Sequence, residues 1–521
     1  MIELVLALIA LVYVAIVFKQ DMQMMQQNTY RNERYIGWLK SSSDFMSINR
    51  LIDVALLMLM LSSFFAFEWA AIMIGVVLII QIIVAVKKKY KKPVVFTKRV
   101  WRLYISNIVA TLLLLGSVYL FSQNIVATIA IEMCIIIFSY IVTMAINYLL
   151  KPVEAHINNS YYKEAQRLLA QMPDMKIVGI TGSYGKTSTK HYLNRILNEK
   201  YDVLMTPGSF NTPMGVIRTV REMLKPYNNL FIVEMGAKNI GDIKELCDLV
   251  HPTIGIITAV GEQHLESFKS IENVQRTKFE LVDALPRDGF AVVNNDFPYV
   301  ANREVTNVAV KRYAVTAIDG VDYVAENIQY SASGTQFTVV GNGQSIELNT
   351  KLVGECNISN LMAAVIVAMY LDVPAEKIKY AVSKIEQVEH RLNLKRTPSG
   401  ITIIDDAYNS NPDGSKMALD VLSRMNTGKR IVITPGMIEL GDKQAHYNEI
   451  FGEHIAKTCD IAIVVGRYNR EAILAGIAKG KMSQESIYVA DTFKEAQAHM
   501  LAIATRGDTV LYENDLPDTF K

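Results

Sequence analysis

Cysteine is scarce in this sequence, and the few cysteines are too far apart to form a familiar site. The chain has 4 cysteines in 521 residues, at Cys134, Cys247, Cys356 and Cys459, and none forms a C-x-x-C pair. A zinc ribbon requires such pairs, and a disulfide framework requires a denser set of cysteines. The sequence therefore predicts isolated thiols in a reducing compartment.

An excess of charge of one sign is also absent. The formal net charge is +2 at pH 7, with 53 basic and 51 acidic residues. No strong field attracts the chain to nucleic acid, so we expect no nucleic-acid partner. The length predicts roughly two to four domains. Hydrophobic residues make up 51% of the chain, which is high for a soluble enzyme, and they are concentrated near the N-terminus.

Five apolar runs in residues 1–150 predict membrane-spanning helices. A helix needs about 20 mostly apolar residues to cross a hydrocarbon core of about 30 Å. The first run lacks a preceding basic segment and a following cleavage site, so we interpret it as an anchor and not a signal peptide. The predicted spans are Ile2–Phe18, Leu51–Phe67, Ala70–Val86, Leu103–Phe121 and Ile125–Leu150.

Basic residues between the runs predict the orientation of these spans. Eight lysines and arginines and no acidic residue occur in Lys87–Arg102, and Lys19–Arg50 is also basic, whereas the other two turns have no basic residue. Because basic loops stay in the cytoplasm, we expect a multi-pass plasma-membrane protein with its N-terminus outside and everything after Lys151 in the cytoplasm. The Lys87–Arg102 segment is also a candidate for binding anionic lipid head groups, with a pure topology role as the alternative.

A glycine loop after the apolar region predicts a phosphate-binding site. Lys176–Ile180 is typical of a short buried strand, and Thr189–Lys200 is typical of a helix. A glycine turn between a strand and a helix directs backbone N–H groups at phosphates, although Ile180 stands where the strict P-loop pattern has its first glycine. Lys186 would reach the terminal phosphates and Thr187 would bind Mg²⁺. The predicted nucleotide-binding residues of the loop are Gly182, Ser183, Gly185, Lys186, Thr187 and Ser188.

Three further residues are candidates for a metal site. Glu234 ends the apolar stretch Leu230–Val233 beside Gly236, as expected for a metal ligand at the carboxyl edge of a parallel sheet, with a helix-capping role as the alternative. His264 follows the strand-like stretch Ile254–Val260. Lys278 lies further along in a helical stretch. Taken alone, His264 and Lys278 are more typical of structural and solvated positions.

In this order the motifs resemble the Mur ligase family, and most of all its branch that adds D-alanyl-D-alanine. The resemblance rests on TGSYGKTS, SFNTPMGV, VEMGAKNIGDI and TAVGEQHLESFKSIENVQRTKFE, followed by VVNND, GECNISNLMAA, HRLNL, IIDDAYNSNPDGS and TPGMIELG. It implies an α/β P-loop ATPase domain and an α/β Rossmann-like C-terminal domain, which would follow the predicted transmembrane α-helical segment. We expect spans in 1–150, a linker helix in 151–173, the ATP-binding domain in 174–388 and the C-terminal domain in 389–521.

The resemblance also implies roles for individual residues. Lys186 and Thr187 would hold ATP and one Mg²⁺ that Glu234 shares, and His264 with a carbamylated Lys278 would support a second Mg²⁺. Asn295, Asp296 and Asn360 would face the nucleotide, Arg391 would cover phosphate and Asp406 would lie near the metal–phosphate centre. The implied catalytic set is Lys186, His264, Lys278 and Asp406, and the residues implied to line the same cleft are Tyr408, Asn409 and Asn411.

Three departures from the family bear on the substrates. The membrane segment stands where the family has a domain that binds a uridine nucleotide, which favours a lipid-linked or membrane-adjacent carboxylate. Cys356 replaces a histidine beside the nucleotide. At the C-terminal end Glu513, Asp515 and Asp518 replace a Lys-Gly-Ser stretch, and these acids would either attract an ammonium group or form a solvated tail.

The function that these observations favour is ATP-dependent joining of a carboxylate to an amino acid or dipeptide through an acyl phosphate, in envelope or peptidoglycan-related synthesis. The alternatives are a polyglutamate-type capsule or polymer synthase and an ATP-gated membrane protein that is not a ligase. The sequence does not identify either substrate, the role of the spans beyond anchoring, or the oligomeric state.

Overall fold

The computed structural model describes residues 1–42, 47–62, 67–88, 90, 93–316, 319–331, 334–389, 391–407, 410–425 and 427–516. The chain divides into two compact units, Met1–Asn159 and Ser160–Asp515. Each unit contains its own buried apolar clusters, as expected for segments that each bury a core.

The first unit is helical because its sequence is apolar over long stretches. Its helices are α1 (Ile2–Gln27), α2 (Asn32–Ser42), α3 (Ile48–Ser62), α4 (Phe67–Lys87), α5 (Lys98–Ser122), α6 (Ile125–Ile137) and α7 (Ser139–Ala170). Outward-facing apolar residues such as Val86, Leu113 and Phe121 are 68%, 68% and 93% exposed. A soluble protein rarely exposes so much apolar surface.

Three helices in the described residues are long and apolar enough to cross a membrane, namely α1, α5 and Glu68–Lys87 within α4. The second predicted run forms the 15-residue α3, about 22 Å long at about 1.5 Å per residue, and residues 63–66 of that run lie outside the described residues. The pair α6 and α7 meets the same criterion jointly. The count of five spans therefore stays a prediction.

The fifth predicted run is not one straight helix, because α6 and α7 meet at an angle of 78° at Phe138. At such a break the last carbonyl groups of a helix lose their partners. Arg50 satisfies them, since its Nη1 donates to the carbonyl oxygen of Ile137 at 2.7 Å and to that of Ile136 at 3.5 Å. The helix α7 then continues past Lys151, so the predicted boundary at 150/151 lies inside a helix.

A nine-stranded sheet forms the middle of the second unit, in the order β2-β3-β1-β4-β5-β6-β7-β8-β9. Neighbouring strands from β2 to β7 in this order pair in parallel, whereas β8 is antiparallel to both β7 and β9. Strands β7–β9 therefore form an antiparallel excursion, while β6 extends the parallel part. The strands are β1 (Lys176–Thr181), β2 (Val203–Met205), β3 (Leu230–Glu234), β4 (Ile254–Ile257), β5 (Phe290–Asn294), β6 (Ala309–Ala314), β7 (Tyr323–Ser331), β8 (Gly334–Gly341) and β9 (Gln344–Thr350).

Helices cover both faces of this sheet, which is why β1, β3, β4 and β5 are buried almost throughout. The helices are α8 (Lys186–Leu197), α9 (Pro213–Met223), α10 (Asp242–Val250), α11 (Leu265–Phe268), α12 (Ile271–Asp283), α13 (Pro298–Ala301), α14 (Glu355–Tyr370) and α15 (Ala375–Ser383).

A second sheet, in the order β10-β11-β15-β12-β13-β14, forms the C-terminal part. Only its edge strand β10 is antiparallel. Its strands are β10 (Asn393–Arg396), β11 (Thr402–Asp406), β12 (Arg430–Thr434), β13 (Ile461–Val465), β14 (Ile487–Ala490) and β15 (Thr509–Glu513), and its α-helices are α16 (Pro412–Ser423), α17 (Gln444–Thr458), α18 (Arg470–Ala478) and α19 (Phe493–Ile503). Apolar helices followed by two α/β layers confirm the predicted fold class.

Candidate active site

The predicted phosphate loop connects β1 to the first turn of α8. Gly182 and Gly185 have φ angles of 154° and 79°. A Cβ atom at Gly182 would collide with Thr258 and with the backbone of Ala259, and one at Gly185 would collide with the Asn360 carboxamide. Both positions therefore require glycine. Ser183 fixes the loop by donating to the carbonyl oxygen of Gly261 at 3.0 Å, and Ser188 is buried on α8.

Lys186 is the first residue of α8, and its side chain bends back over the loop. Its Nζ donates to the carbonyl oxygens of Gly182 at 2.6 Å and Ser183 at 3.2 Å. Burial lowers the pKa of Lys186, Glu234 opposes this and Arg391 adds to it, and the resulting pKa is about 8. An anionic phosphate beside this amine would favour its charged form.

Glu234 ends β3 and is 1% exposed, and three polar contacts hold its carboxylate. Thr187 Oγ1 and Asn211 Nδ2 each donate to Oε1 at 3.1 Å, and Lys190 Nζ lies 3.0 Å from Oε2. The backbone N–H of Glu234 donates to Thr206 Oγ1. Burial alone would raise the pKa of Glu234, but Lys190 and Lys186 outweigh it and keep the pKa below its ordinary value.

His264 lies at the carboxyl side of β4 with a φ of 54°. Its Nδ1 contacts Oε2 of Glu439 from the C-terminal domain, and Glu439 Oε1 accepts from Lys238 at 2.7 Å. Burial lowers the pKa of His264, although Glu439 opposes this. Metal-binding histidines commonly give one ring nitrogen to a carboxylate and use the other for the metal. This arrangement leaves Nε2 of His264 for a ligand.

Lys278 lies on α12 and is 2% exposed. Its Nζ is 5.9 Å from the centre of the Phe268 ring, and no carboxylate within ion-pair distance of it is found among the described residues. Burial lowers the pKa of Lys278 well below its ordinary value, and the nearby Lys186 lowers it further. A neutral amine in this position is the species that reacts with carbon dioxide to form a carbamate.

The donors present fit the predicted Mg²⁺ chemistry in part. The Thr187 hydroxyl and the Glu234 carboxylate are adjacent hard oxygen donors, which Mg²⁺ prefers, and phosphate and water usually complete its coordination. Within the described ranges, no group of three or more His, Cys, Asp and Glu side chains is arranged to hold a metal ion. That set of side chains does not include the other oxygen donors proposed here, which are the Thr187 hydroxyl, a carbamate on Lys278 and the phosphate oxygens.

A cavity of about 290 Å³ lies beside the loop, between the two α/β domains. Asn360, Asp296 and Cys356 line it, together with Asn294 and Tyr184. The Tyr184 hydroxyl contacts Asp413 of the C-terminal domain, so the tyrosine bridges the domains. Cys356 thus lies where the family resemblance expects a histidine at the nucleotide.

Asn295 is not among the residues that line this cavity. Its Oδ1 accepts from Arg312 at 3.0 Å. Its neighbour Asn294 lines the cavity instead and donates to the carbonyl oxygen of Thr258 and to Ser359 Oγ. Asn294 ends β5 and Asn295 follows it, and successive side chains of an extended chain point to opposite sides, which is consistent with Asn294 alone facing the cavity. Asn360 Oδ1 accepts from Thr189 at 3.2 Å, which ties it to α8.

Asp406 and Glu513 end the adjacent parallel strands β11 and β15 and are paired in register. Burial raises the pKa of Asp406 to about 6, although the guanidinium of Arg391 opposes this. Since Arg391 influences the pKa of both Lys186 and Asp406, it lies between the phosphate loop and the C-terminal sheet. Burial raises the pKa of Glu513 well above 4.5, and the Asp406 carboxylate adds to this effect.

The predicted acidic tail is not one cluster. Glu513 is 1% exposed and its Oε1 accepts from Ser410 at 2.6 Å, whereas Asp515 is exposed. Asp518, Tyr408 and Asn409 lie outside the described residues. Asn411 is buried and caps α16, since its Oδ1 accepts from the Gly414 N–H at 2.8 Å.

Lys190 and Glu439 are not among the predicted site residues, but both contact them. Lys190 lies one turn after Lys186, on the face of α8 that points to the sheet. A charged residue on a buried helix face requires a partner. Glu234 provides it from the end of β3, the strand that pairs with β1. Glu439 lies in the TPGMIELG motif, but only the fold shows that it meets His264.

Replacing Lys190 tests whether it stabilises the buried carboxylate. Lys190→Met leaves Glu234 buried without its main cation, so we expect a loss of about 3–5 kcal/mol in the free energy of unfolding. The exposed Lys244 pairs with Asp248 across one helical turn, and the matched Lys244→Met should cost much less stability, because water screens an exposed ion pair. Urea unfolding of the purified proteins measures both. Equal small losses would contradict this role, and adding Glu234→Gln to Lys190→Met should recover stability.

Glu513 should make stability depend on pH. Its pKa is 4.5 in the ordinary state and higher in the fold, so the folded state binds the extra proton and wild-type stability falls as pH rises above about 4.5. Glu513→Gln lacks this loss, so its stability relative to wild type should increase with pH, by up to about 1.4 kcal/mol per pH unit. Denaturant midpoints between pH 4.5 and 8 measure the difference. A difference that does not change with pH would refute it.

Comparison with known families identifies both α/β domains. Residues 180–368 match the Mur ligase middle domain, and residues 390–512 match the Mur ligase glutamate ligase domain. The UDP-N-acetylmuramoyl-tripeptide–D-alanyl-D-alanine ligase of Bacillus subtilis is 29% identical over 344 residues, which are 65% of this chain and 72% of that protein. The enzyme of the same name from Mycobacterium tuberculosis is 31% identical over 302 residues, 56% of this chain and 58% of that protein.

Solved structures agree with this comparison. MurF from Acinetobacter baumannii superposes with a TM-score of 0.62 at 25% identity, over 69% of this chain and 77% of that one. The MurF ligase of Thermotoga maritima in complex with ADP has the same fold, with a TM-score of 0.61 at 24% identity over 69% and 80% of the two chains. The chain therefore belongs to the Mur ligase family and is an ADP-forming ligase of the Mur type.

Proposed function

We propose that this protein is a membrane-anchored ligase that activates a carboxylate with ATP and joins it to the amine of an amino acid or dipeptide, in envelope or peptidoglycan synthesis. The observation that carries the proposal is the adjacency of a glycine loop, Lys186, Thr187 and a buried Glu234 at one sheet edge. That edge is where α/β proteins bind phosphorylated ligands.

A carboxylate is a poor electrophile, so ATP first converts it to an acyl phosphate and the amine then displaces phosphate. In this scheme Lys186 and Arg391 neutralise the charge of the transferred phosphoryl group, and the loop N–H groups position it. The contacts of Tyr184 with Asp413 and of His264 with Glu439 hold the C-terminal domain over the site. A covered site excludes water, which would otherwise hydrolyse the acyl phosphate.

Two Mg²⁺ ions fit the donor chemistry of the site. Thr187 and Glu234 would hold one, and His264 with a carbamate on Lys278 would support the other. When bound, such ions supply positive charge against the phosphate oxygens. The buried, unpaired amine of Lys278 supports carbamylation, because a cationic lysine would repel the metal whereas a carbamate offers oxygen ligands.

The relatives named above act on a UDP-linked muramoyl tripeptide and D-alanyl-D-alanine. For this chain we propose a lipid-linked or membrane-adjacent carboxylate, because an apolar helical unit precedes the ligase domains. The helices α1, α4 and α5 support a multi-pass location in the plasma membrane. The basic residues between the spans favour an outside N-terminus and cytoplasmic ligase domains, where ATP is available.

Two alternatives make different demands on the same site. A polyglutamate-type polymer synthase would add the same amino acid repeatedly, so its product would lengthen with time. An ATP-gated membrane protein that is not a ligase would release ADP without either substrate. The presence of all the predicted phosphate and metal residues favours a catalytic role over a gating role.

Lys186→Ala tests the assignment of the loop. Without the amine that neutralises phosphate charge, we expect ADP formation to fall by about 100- to 1000-fold, since charge stabilisation by one such group typically contributes that much. The assay supplies ATP, Mg²⁺, envelope precursors as the carboxylate and amino acids or dipeptides as the amine. Wild type should release ADP only when both substrates are present. The exposed Lys244→Ala is the control, and retained activity in Lys186→Ala would rule out this site.

Lys278→Ala tests the carbamate. Loss of a metal-supporting group should lower activity about 10–100-fold, and acetate or formate should restore part of it by placing a carboxylate in the vacated space, whereas chloride should not. Wild type equilibrated with ¹³C-bicarbonate should give a carbamate NMR signal that Lys278→Ala lacks and the exposed Lys269→Ala keeps. Absence of that signal in wild type would refute carbamylation regardless of how well the variant folds.

A further inference from the structure

A groove in the first unit has the chemistry of a binding site for an anionic lipid. It has a volume of about 450 Å³ and lies between α1, the end of α4 and the segment that precedes α5. Lys19 and Gln20 of α1 and Lys88 supply its polar lining, and Ile16, Val86 and Phe96 supply much of its apolar lining. The two kinds of surface meet within one groove, as a charged head group on an apolar chain would require.

The basic residues of this unit differ in how far they are already neutralised. Arg102 forms a bidentate pair with Glu154 at 2.7 Å, Arg99 lies 3.8 Å from the same carboxylate, and Arg50 lies 3.9 Å from Asp21. These arginines stabilise the helices that they join. Their positive charge is therefore largely used within the protein.

Lys19 and Lys88 are different. Both are exposed, and the described residues offer neither of them a carboxylate within ion-pair distance. The Lys88 ammonium lies 5.3 Å from the centre of the Tyr90 ring. That ring is neutral, so this contact does not neutralise the positive charge of Lys88. The carboxyl end of α4 contributes only about half a negative charge. Two full positive charges outweigh it, so the groove attracts an anion.

The wall of the groove that precedes α5 is held in place. Gln26 of α1 accepts from the N–H of Val95 at 3.0 Å and donates to its carbonyl oxygen at 2.9 Å. Phe96 packs against Trp101 and Tyr104, with ring centres 4.8 Å and 6.1 Å away. Aromatic residues of this kind concentrate where a membrane meets water. The groove is thus a formed surface, and its wall contacts aromatic residues of the kind found at the level of lipid head groups.

We propose that this groove binds a phosphate-bearing membrane lipid, with the phosphate between Lys19 and Lys88 and the apolar chain along Ile16, Val86 and Phe96. The proposal rests on the membrane location given under the proposed function, but it does not depend on ligase activity. It extends that function by placing a phosphate-linked lipid beside an enzyme proposed to use a lipid-linked carboxylate.

The test measures retention of phosphatidic acid by the full-length protein in neutral detergent, by native mass spectrometry. Each lysine near an anionic surface is worth about fivefold in affinity, which corresponds to roughly 1 kcal/mol, so Lys19→Gln with Lys88→Gln should weaken binding about 25-fold. The matched control is Arg31→Gln with Lys40→Gln, which removes the same charge from exposed residues outside the groove and should change binding less than twofold. Phosphatidylcholine should bind weakly to every variant.

Three outcomes would overturn the proposal. Equal losses in the groove variant and the control would indicate general attraction between charges, and equal retention of phosphatidylcholine would indicate apolar contact alone. Displacement of the lipid by millimolar inorganic phosphate would indicate a site for free phosphate. ADP formation with water-soluble substrates should be unchanged in the groove variant, so a failure of the proposed ligase activity is recorded separately from a failure of lipid binding.

Discussion

The active site depends on a buried carboxylate that the fold can tolerate only because cations surround it. Glu234 lies at the end of a strand that is buried on both faces, where an unpaired charge would cost several kcal/mol. Lys190 neutralises it from the helix that begins with the phosphate loop, and Thr187 and Asn211 complete its hydrogen bonds. The same interaction therefore stabilises the sheet and fixes the Thr187 hydroxyl beside a hard oxygen donor. The glycine loop proposed to bind phosphate and the carboxylate proposed to bind metal are brought together by one ion pair.

The second domain completes the site through a small number of contacts across the cleft. Tyr184 of the phosphate loop meets Asp413, His264 meets Glu439, and Lys443 pairs with Glu262 at 2.7 Å. Each contact joins a residue next to the proposed nucleotide or metal positions to the C-terminal domain. Closure of the domains would therefore be coupled to organisation of the proposed site, as a reactive acyl phosphate requires. A ligand that binds the cleft would act on the same contacts that hold the domains together.

Much of the fold and of the loop could be predicted from the sequence because local patterns determine them. Strand β1 agrees with the predicted strand Lys176–Ile180 to within one residue, since an apolar run that ends at a glycine loop defines it. The orientation of Asn295, the break at Phe138 and the meeting of His264 with Glu439 could not be predicted. They depend on strand register and on contacts between residues far apart in the chain.

The central claim is that the terminal phosphate of ATP and a divalent ion lie between the glycine loop and Glu234. Its most direct measurement is a structure of the protein with a non-hydrolysable ATP analogue and Mn²⁺, which anomalous scattering locates in place of Mg²⁺. The account predicts manganese bound by Thr187 and Glu234, with Lys186 turned from the loop carbonyls to the phosphates. Manganese and nucleotide bound elsewhere, with Lys186 still on Gly182 and Ser183, would contradict it.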